Sequence, residues 1–541
     1  MPTFPSACRA REVRFPDPGP PGRSPVVRYH PTMTDILLST LNARYSHASL
    51  GLRYLRANLG ELRERSEILE FVIGQKTEEI VEKILAHRPR VLGLGVYIWN
   101  VEESTRLVAQ LKTVAPEIVI VLGGPEVSHE VGEQRICALA DYVITGWGDV
   151  TFAWLVEQLL RGEAPPARII PGVQAELKDL VLPYAEYTDE DVRQRHLYVE
   201  ASRGCPFKCE FCLSALDKTA WPFELERFLD SLETLYARGV RQFKFVDRTF
   251  NLKVDTSLAI LDFFLRKIDA AADDPPFVHF ELIPDHLPDR LKEAIVRFPQ
   301  GTLQFEIGIQ TFDPEVQTRI SRRQNDDKAA ANLRWLRAHS KAHLHVDLIA
   351  GLPGESVDSF ARGFDRLVAL APHEIQFGIL KRLRGAPIAR HTQVHDLRFN
   401  PDPPYNILST DLIDFATMQR LSRFSRYWDM VANSGRLPRA LALLLGDAPF
   451  QRFLAFSDWL YARTGQTHAI AHERLVHALQ AFLIADGGIE AVIANRALID
   501  DYRGQGGRSR LAFEDADAVR PVPVPRKKSA TPSRQARHLY S

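Results

Sequence analysis

The chain has 541 residues, 45% of them hydrophobic and 25% charged, with 68 basic side chains against 68 acidic ones. That is the make-up of an ordinary globular protein of several domains, and a formal net charge of zero offers no electrostatic argument for nucleic acid or an anionic membrane. Five cysteines, no apolar signal core and no apolar run of the roughly 18 residues a membrane span needs point to a reducing cytoplasm.

Residues 1–32, rich in Arg and Pro, predict a disordered leader, and Met33, directly before the first strand-like run, is a candidate translation start. Over 33–165 short apolar runs alternate with stretches of helical spacing. "DILLSTLN", "SEILEFVIG", "VLGLGVYIWN", "EIVIVLGGPEVS" and "ADYVITGWGD" read as strands, with "TEEIVEKILAHRP" and "VEESTRLVAQLKTVAP" among the intervening helices. The alternation predicts an α/β, Rossmann-like doubly wound parallel sheet, whose ligands belong at the carboxyl ends of the strands. Residues 166–196, with their Pro and Gly breakers, predict a linker.

From 197 to 398 a second alternation begins, with "LYVEASRG", "QFKFVDRTF", "HFELIP", "LQFEIGIQT", "HLHVDLIAG" and "IQFGILKRL" as strands. Six strand–helix units predict a partial parallel (β/α) barrel, in which chemistry sits where the strands end. Asp247, Arg248, Glu281, Glu306, Gln310 and Asp347 collect there. Residues 399–503 have helical apolar spacing and predict a helical C-terminal domain, with Trp428 and Trp459 in its core. The Gly-, Pro- and Ser-rich stretch 504–541 predicts a disordered tail, its cations solvated rather than bound to nucleic acid.

One stretch stands out. "SRGCPFKCEFCLSA", residues 202–215, places Cys205, Cys209 and Cys212 within eight positions. An odd number of such close neighbours does not suit disulfides. Zinc wants four ligands, and Cys8 and Cys137 are remote, although His196 could complete a set. An iron–sulfur cluster normally takes four thiolates, so three leave one iron with an open coordination position. A structural metal in a non-catalytic iron–sulfur or zinc module stays open at this point.

The same stretch resembles the signature of the radical S-adenosylmethionine (SAM) superfamily, with Phe211 as the aromatic residue before the last cysteine. The resemblance implies that Cys205, Cys209 and Cys212 hold a 4Fe-4S cluster whose unique iron chelates SAM, and that reduction cleaves SAM to a 5'-deoxyadenosyl radical. It further implies that Asp247 holds the SAM amino group. Glu306 and Gln310 would reach its ribose or carboxylate, and Gly351 and Gly354 would lie against its adenine. The preceding domain resembles the cobalamin-binding domains of that superfamily, with Gly123, Gly124 and Gly146 at strand ends that approach a corrin. The loop "RYSHASLG" carries His47 as a candidate axial ligand but has Tyr45 where a supporting Asp is usual. The implied protein is a radical SAM enzyme that uses cobalamin for methyl transfer or another radical transformation of a small molecule. It would be supplied with electrons by a flavodoxin or ferredoxin. Alternatively its first domain is vestigial.

Overall fold

The computed structural model describes residues 34–217, 219–514 and 530–538, so the expected leader at 1–32 lies outside the described residues. The first domain contains β1 (Ile36–Asn42), β2 (Ser66–Val72), β3 (Val91–Gly95), β4 (Val119–Gly123), β5 (Tyr142–Thr145) and β6 (Ile169–Pro171). They form one parallel sheet in the order β2-β1-β3-β4-β5-β6. β1 is buried along its whole length, as a central strand covered by helices on both faces must be. Its two hydroxyls are absorbed by neighbouring strands: Ser39 donates to the Leu69 carbonyl and Thr40 to that of Gly95, each at 2.7 Å. The helices are α1 (Leu50–Ala57), α2 (Thr77–His87), α3 (Val101–Val114), α4 (Arg135–Leu139) and α5 (Asp149–Arg161). β6 falls inside the expected linker. Three residues between prolines and a glycine are too short to show a period, yet Ile169 pairs with Val143 and closes the sheet edge.

After α6 (Asp189–Gln194), the second sheet is built from β7 (Leu197–Val199), β10 (Gln242–Phe245), β11 (Phe277–Leu282), β12 (Leu303–Gln310), β13 (His343–Ala350) and β14 (Glu374–Ile379). All six pair in parallel in that order, and β7 and β14 do not pair with each other, so the barrel is partial. A short antiparallel hairpin, β8 (Ser202–Gly204) with β9 (Ala220–Pro222), projects from the end of β7 and frames the cysteine loop. Helices α7 (Leu225–Ala237), α8 (Val254–Ala270), α9 (Asp289–Val296), α10 (Pro314–Arg319), α11 (Asp326–His339) and α12 (Val357–Ala369) cover the outside. In α12, Phe360, Phe364 and Leu367 fall on one stripe and are buried against the sheet.

Beyond the barrel, β15 (Arg398–Phe399) pairs with β16 (Ile407–Ser409) and leads into α13 (Phe415–Val431), α14 (Pro438–Leu445), α15 (Pro449–Thr464), α16 (His472–Ala485) and α17 (Ala491–Gly504). These helices share one core with the barrel. Phe364 of α12 meets Phe424 at 5.2 Å and Trp428 at 4.8 Å between ring centres. Trp428 is therefore core, and Trp459 packs on Phe482 at 5.6 Å.

The tail needs correction in part. Leu511 is fully buried, and residues 530–538 carry α18 (Ser533–His538). Arg534 pairs with Glu374 at 2.8 Å and Asp429 at 2.6 Å, and Arg537 donates to the Ser434 carbonyl at 2.6 Å. Composition hid this because the segment is held by polar contacts to distant elements rather than by an apolar stripe of its own.

Ion pairs lock the two sheets together. Arg53 of α1 sits buried between Glu70 (3.0 Å) and Asp191 (2.8 Å). Farther round, Arg384 reaches Glu126 at 3.0 Å and Glu130 at 2.8 Å in the loop after β4, Arg382 reaches Glu130 at 2.7 Å, and the Tyr405 hydroxyl donates to Glu126 at 2.7 Å.

Candidate active site between two cofactor-sized cavities

The cysteine loop is fixed before it begins. Asp247, at the end of β10, accepts from the Ala201 amide at 3.0 Å and the Ser202 hydroxyl at 2.6 Å, pinning the turn from β7 to β8. Burial pushes the Asp247 carboxyl up to about 7, against the pull of those two donors. Gly204 ends β8 at φ +95, where a Cβ would stand 2.4 Å from the Thr219 carbonyl oxygen, so the approach to Cys205 requires glycine. Glu210, buried between the second and third cysteines, is gripped from outside the loop. It accepts from Ser321 at 2.5 Å and pairs with Arg390 and His391.

All three cysteines line one cavity of about 240 Å³ at the carboxyl ends of the barrel strands, as does Phe211. Glu281 of β11, Glu306 and Gln310 of β12 and Asp347 of β13 form its floor, with Arg248 and Arg322 at its sides. Gln310 occupies a left-handed conformation (φ +71) at a register shift in the pairing of β12 with β13. A bulge of this kind re-aims a side chain at the rim of a barrel. Arg322 donates from Nη1 to the Cys209 sulfur at 3.4 Å and from Nη2 to the Gly308 carbonyl.

The floor carries an uneven set of carboxyls. Burial opposes ionisation of Glu306, but the His279 ring at 3.1 Å, with His345 and Lys244 beyond, holds it well below the usual range. Asp347 goes the other way. Burial, then the charges of Glu306 and Glu281, push it well above the usual range, and its Oδ1 is buried with no hydrogen-bond partner. Glu281 is raised by burial although Arg248 sits 2.8 Å away. The three carboxyls on the floor are thus biased in opposite directions, Glu306 towards the charged form and Asp347 and Glu281 towards the neutral one.

The donor set fits an iron–sulfur cluster. Burial, with Cys212 and Cys209 close by, pushes the Cys205 thiol up to about 11, an environment that favours thiolate only when a metal compensates. Among the described residues no three His, Cys, Asp or Glu side chains converge on a point that one metal ion could occupy. A cuboidal cluster does not ask for that, because each thiolate binds a different iron. His196 is engaged elsewhere, with Gln242 at 3.0 Å.

The second cavity, about 280 Å³, opens at the carboxyl ends of β3, β4 and β5. Gly123, Gly124 and Gly146 line it with Gly93, Gly95 and Tyr97. A Cβ on Gly123 or Gly146 would meet nothing within 4 Å, so these glycines keep open a space that side chains would fill. Leu52, Leu55, Leu94, Val121, Leu122 and Ile144 make most of the remaining wall apolar, which suits a bulky, largely apolar ligand such as a corrinoid. Arg203, two residues before Cys205, forms part of this wall. It pairs with Asp149 at 2.9 Å and Glu200 at 3.1 Å and lies over the Tyr54 and Trp147 rings, each 4.7 Å away.

Of the residues singled out from sequence, the structure brings Cys205, Cys209, Cys212, Phe211, Glu306 and Gln310 to the first cavity and Gly123, Gly124 and Gly146 to the second. Asp247 lies beneath the cysteine loop rather than on the cavity wall. Gly351 (φ +87) and Gly354 (φ +71) give way to Ile407 and Arg319, which stand 2.6 and 2.4 Å from where their Cβ atoms would be. His47 makes a 2.6 Å contact from Nδ1 to the Tyr198 hydroxyl at the joint between the sheets, outside the residues lining the second cavity. Sequence reasoning missed Arg322 and Arg203. Arg203 had a signal in its place beside the first cysteine, whereas Arg322, in "SRRQND", had none.

Family models match three stretches: a B12 binding domain over 37–156, the radical SAM superfamily over 199–367, and a family described only as a protein of unknown function over 393–510. The 2-(S-pantetheinyl)-carbapenam-3-carboxylate methyltransferase of Streptantibioticus cattleyicolor is 25% identical over 328 residues, 54% of this chain and 47% of its own length. The cobalamin-dependent radical SAM methyltransferase TokK of Streptomyces tokunonensis is 26% identical over 321 residues, 53% of this chain and 46% of its own. The chain thus spans about half the length of the curated relatives it matches. The cobalamin-dependent SAM radical enzyme OxsB has the same fold, with a TM-score of 0.60 over 88% of this chain and 81% of that one at 13% identity.

Proposed function

On the premise that this chain belongs to the radical SAM superfamily and carries a B12 binding domain, we propose that it is a cobalamin-dependent radical SAM enzyme that transfers a methyl group to a small-molecule substrate. The observation that carries this reading is the adjacency of the two cavities. The segment that presents Cys205 to one of them also supplies Arg203 to the wall of the other. When bound, the cofactors supply one-electron reduction, cleavage of a carbon–sulfur bond and methyl transfer.

The chain's own residues bind and orient. Cys205, Cys209 and Cys212 would hold three irons, and Arg322 would keep a donor against the Cys209 sulfur. Glu306, favoured as the carboxylate, suits a cationic group, and Asp347, favoured as the acid, suits a hydroxyl or carboxylate oxygen, a pairing that supports a zwitterionic ligand. Arg248, braced by Glu281, supplies a cation on the opposite side. The glycines of the second cavity would admit the corrin, and Arg203, held by Asp149 and Glu200, fixes that cavity relative to the cysteine loop. The described cysteines are free thiols and no described helix is long and apolar enough to cross a membrane. Free thiols fit a reducing compartment, and a flavodoxin or ferredoxin is the proposed reductant.

Anaerobic reconstitution with iron, sulfide and hydroxocobalamin tests the reading. The expected result is 4Fe-4S absorbance, a retained corrin spectrum near one equivalent, and 5'-deoxyadenosine or S-adenosylhomocysteine from SAM under dithionite. Retention of SAM turnover by Cys209→Ala would overturn the assignment. A corrin stoichiometry near zero would remove cobalamin from it.

A further inference from the structure

At the opposite, amino-terminal end of the barrel lies a cavity of about 220 Å³, bounded by α11, the start of β13 and the segment that carries α18. Among the described residues, Arg337 and Lys341 are on its wall and no Asp or Glu is. His343 and His373 are there too, their rings stacked 4.6 Å apart.

The hydrogen bonds around these rings leave a definite deficit. The Leu344 amide donates to Nδ1 of His373 at 2.9 Å, so the neutral ring carries its proton on Nε2. That Nε2 faces Nη1 of Arg337 at 2.5 Å. With the proton on Nε2 both groups are donors, and an acceptor beside them would draw each N–H off the other. His343 has the converse problem. Its Nε2 is 3.1 Å from a Glu374 carboxylate oxygen and must carry the proton. Its Nδ1 lone pair is therefore buried with no donor, on a side chain only 5% exposed. Burial, with His538, His345, Arg534 and Arg337 around His343 and with His343, Arg337 and His538 around His373, pushes both imidazoles down to about 2 and favours their neutral form. The Gln535 Oε1 on the same wall is a second buried acceptor without a donor.

We propose that this cavity is a binding site for inorganic phosphate, taken as hydrogen phosphate. Its charged oxygens accept from Arg337, Lys341 and His373 Nε2, and its single O–H donates to His343 Nδ1 or to Gln535. An ion with acceptors only answers half of the deficit. Sulfate is such an ion, and so is a phosphomonoester in its dianionic form. The site therefore distinguishes ions of the same shape and similar charge by one proton. It is remote from both cofactor cavities and stands whether or not the proposed methyl transfer is right.

Calorimetric titration of the full chain with sodium phosphate, sodium sulfate and glycerol phosphate at pH 8 tests this. Phosphate is expected to bind about tenfold more tightly than either of the others, the worth of one hydrogen bond to a charged partner. Arg337→Gln and Lys341→Gln, both at the exposed rim, are expected to weaken phosphate binding by about tenfold each while leaving the thermal midpoint of the phosphate-free protein unchanged. His343→Gln is expected to abolish the preference over sulfate. Equal binding of phosphate and sulfate would overturn the proposal. So would glycerol phosphate matching phosphate, no heat from phosphate at about 10 mM, or affinity unchanged in Arg337→Gln.

Discussion

Gly123→Val separates the second cavity from the fold that builds it. Gly123 ends β4, and its missing Cβ has nothing within 4 Å, so a β-branched residue enters the strand without collision. Its three added carbons, each about the size of a water's roughly 30 Å³ share of the liquid, take on the order of 90 Å³ from a cavity of about 280 Å³. A rigid corrinoid seated there has no room to move aside, and loss of about 3 kcal/mol or more lowers its affinity at least a hundredfold. The folded chain is expected to change by less than about 0.5 kcal/mol, since nothing is displaced. Gly93→Val is the contrasting case, because its Cβ would stand 2.8 Å from the Phe152 ring and 2.9 Å from Leu38, and overpacking of this kind costs roughly 1–3 kcal/mol. The assay is the corrin spectrum that survives gel filtration, read beside 4Fe-4S absorbance and the thermal midpoint. Gly123→Val is expected to lose the corrin alone. Retention of a full equivalent would refute the assignment of the cavity.

Three further outcomes follow from contacts in the structure. Arg322→Gln removes a cationic donor 3.4 Å from the Cys209 sulfur, so potentiometry in the absence of SAM should show a more negative cluster potential. Arg384→Ala leaves Glu126, whose side chain is 3% exposed, without its cation, at a cost of about 3 kcal/mol in unfolding experiments. Adding Glu126→Gln should restore much of that loss, and strict additivity would argue against the pair. Asp247 retains its proton in the folded chain up to about pH 7 but loses it near 3.8 when unfolded. Its contribution is therefore complete below pH 3.8 and is lost as pH rises towards 7, by up to about 4 kcal/mol. The difference in stability between the wild type and Asp247→Asn should show that slope, and a flat difference would refute it.

What could be read directly from the chain was whatever is local. The three cysteines lie within eight residues, so one loop holds their chemistry. Apart from the three-residue β6, the strands of both sheets announce themselves through apolar runs, because strands buried on both faces need no partner to be recognised. Gln310 and the three cavity glycines were legible for the same reason, each sitting where a strand ends, whereas Glu306 lies within β12.

The rest depended on contacts between residues far apart in sequence. Arg322 meets Cys209 across 113 positions and Arg384 meets Glu126 across 258. No periodicity encodes such a meeting. The left-handed twist at Gln310 follows from β12 losing register against β13, not from any residue that favours it. Asp247 reads as a strand-end ligand in one dimension, and folding turns it inward to the Ala201 and Ser202 donors. A charged side chain has no preferred partner until packing removes water and leaves one within reach. Only the tertiary structure could decide which arginine meets the Cys209 sulfur, which joins the domains and which lies against the His373 ring.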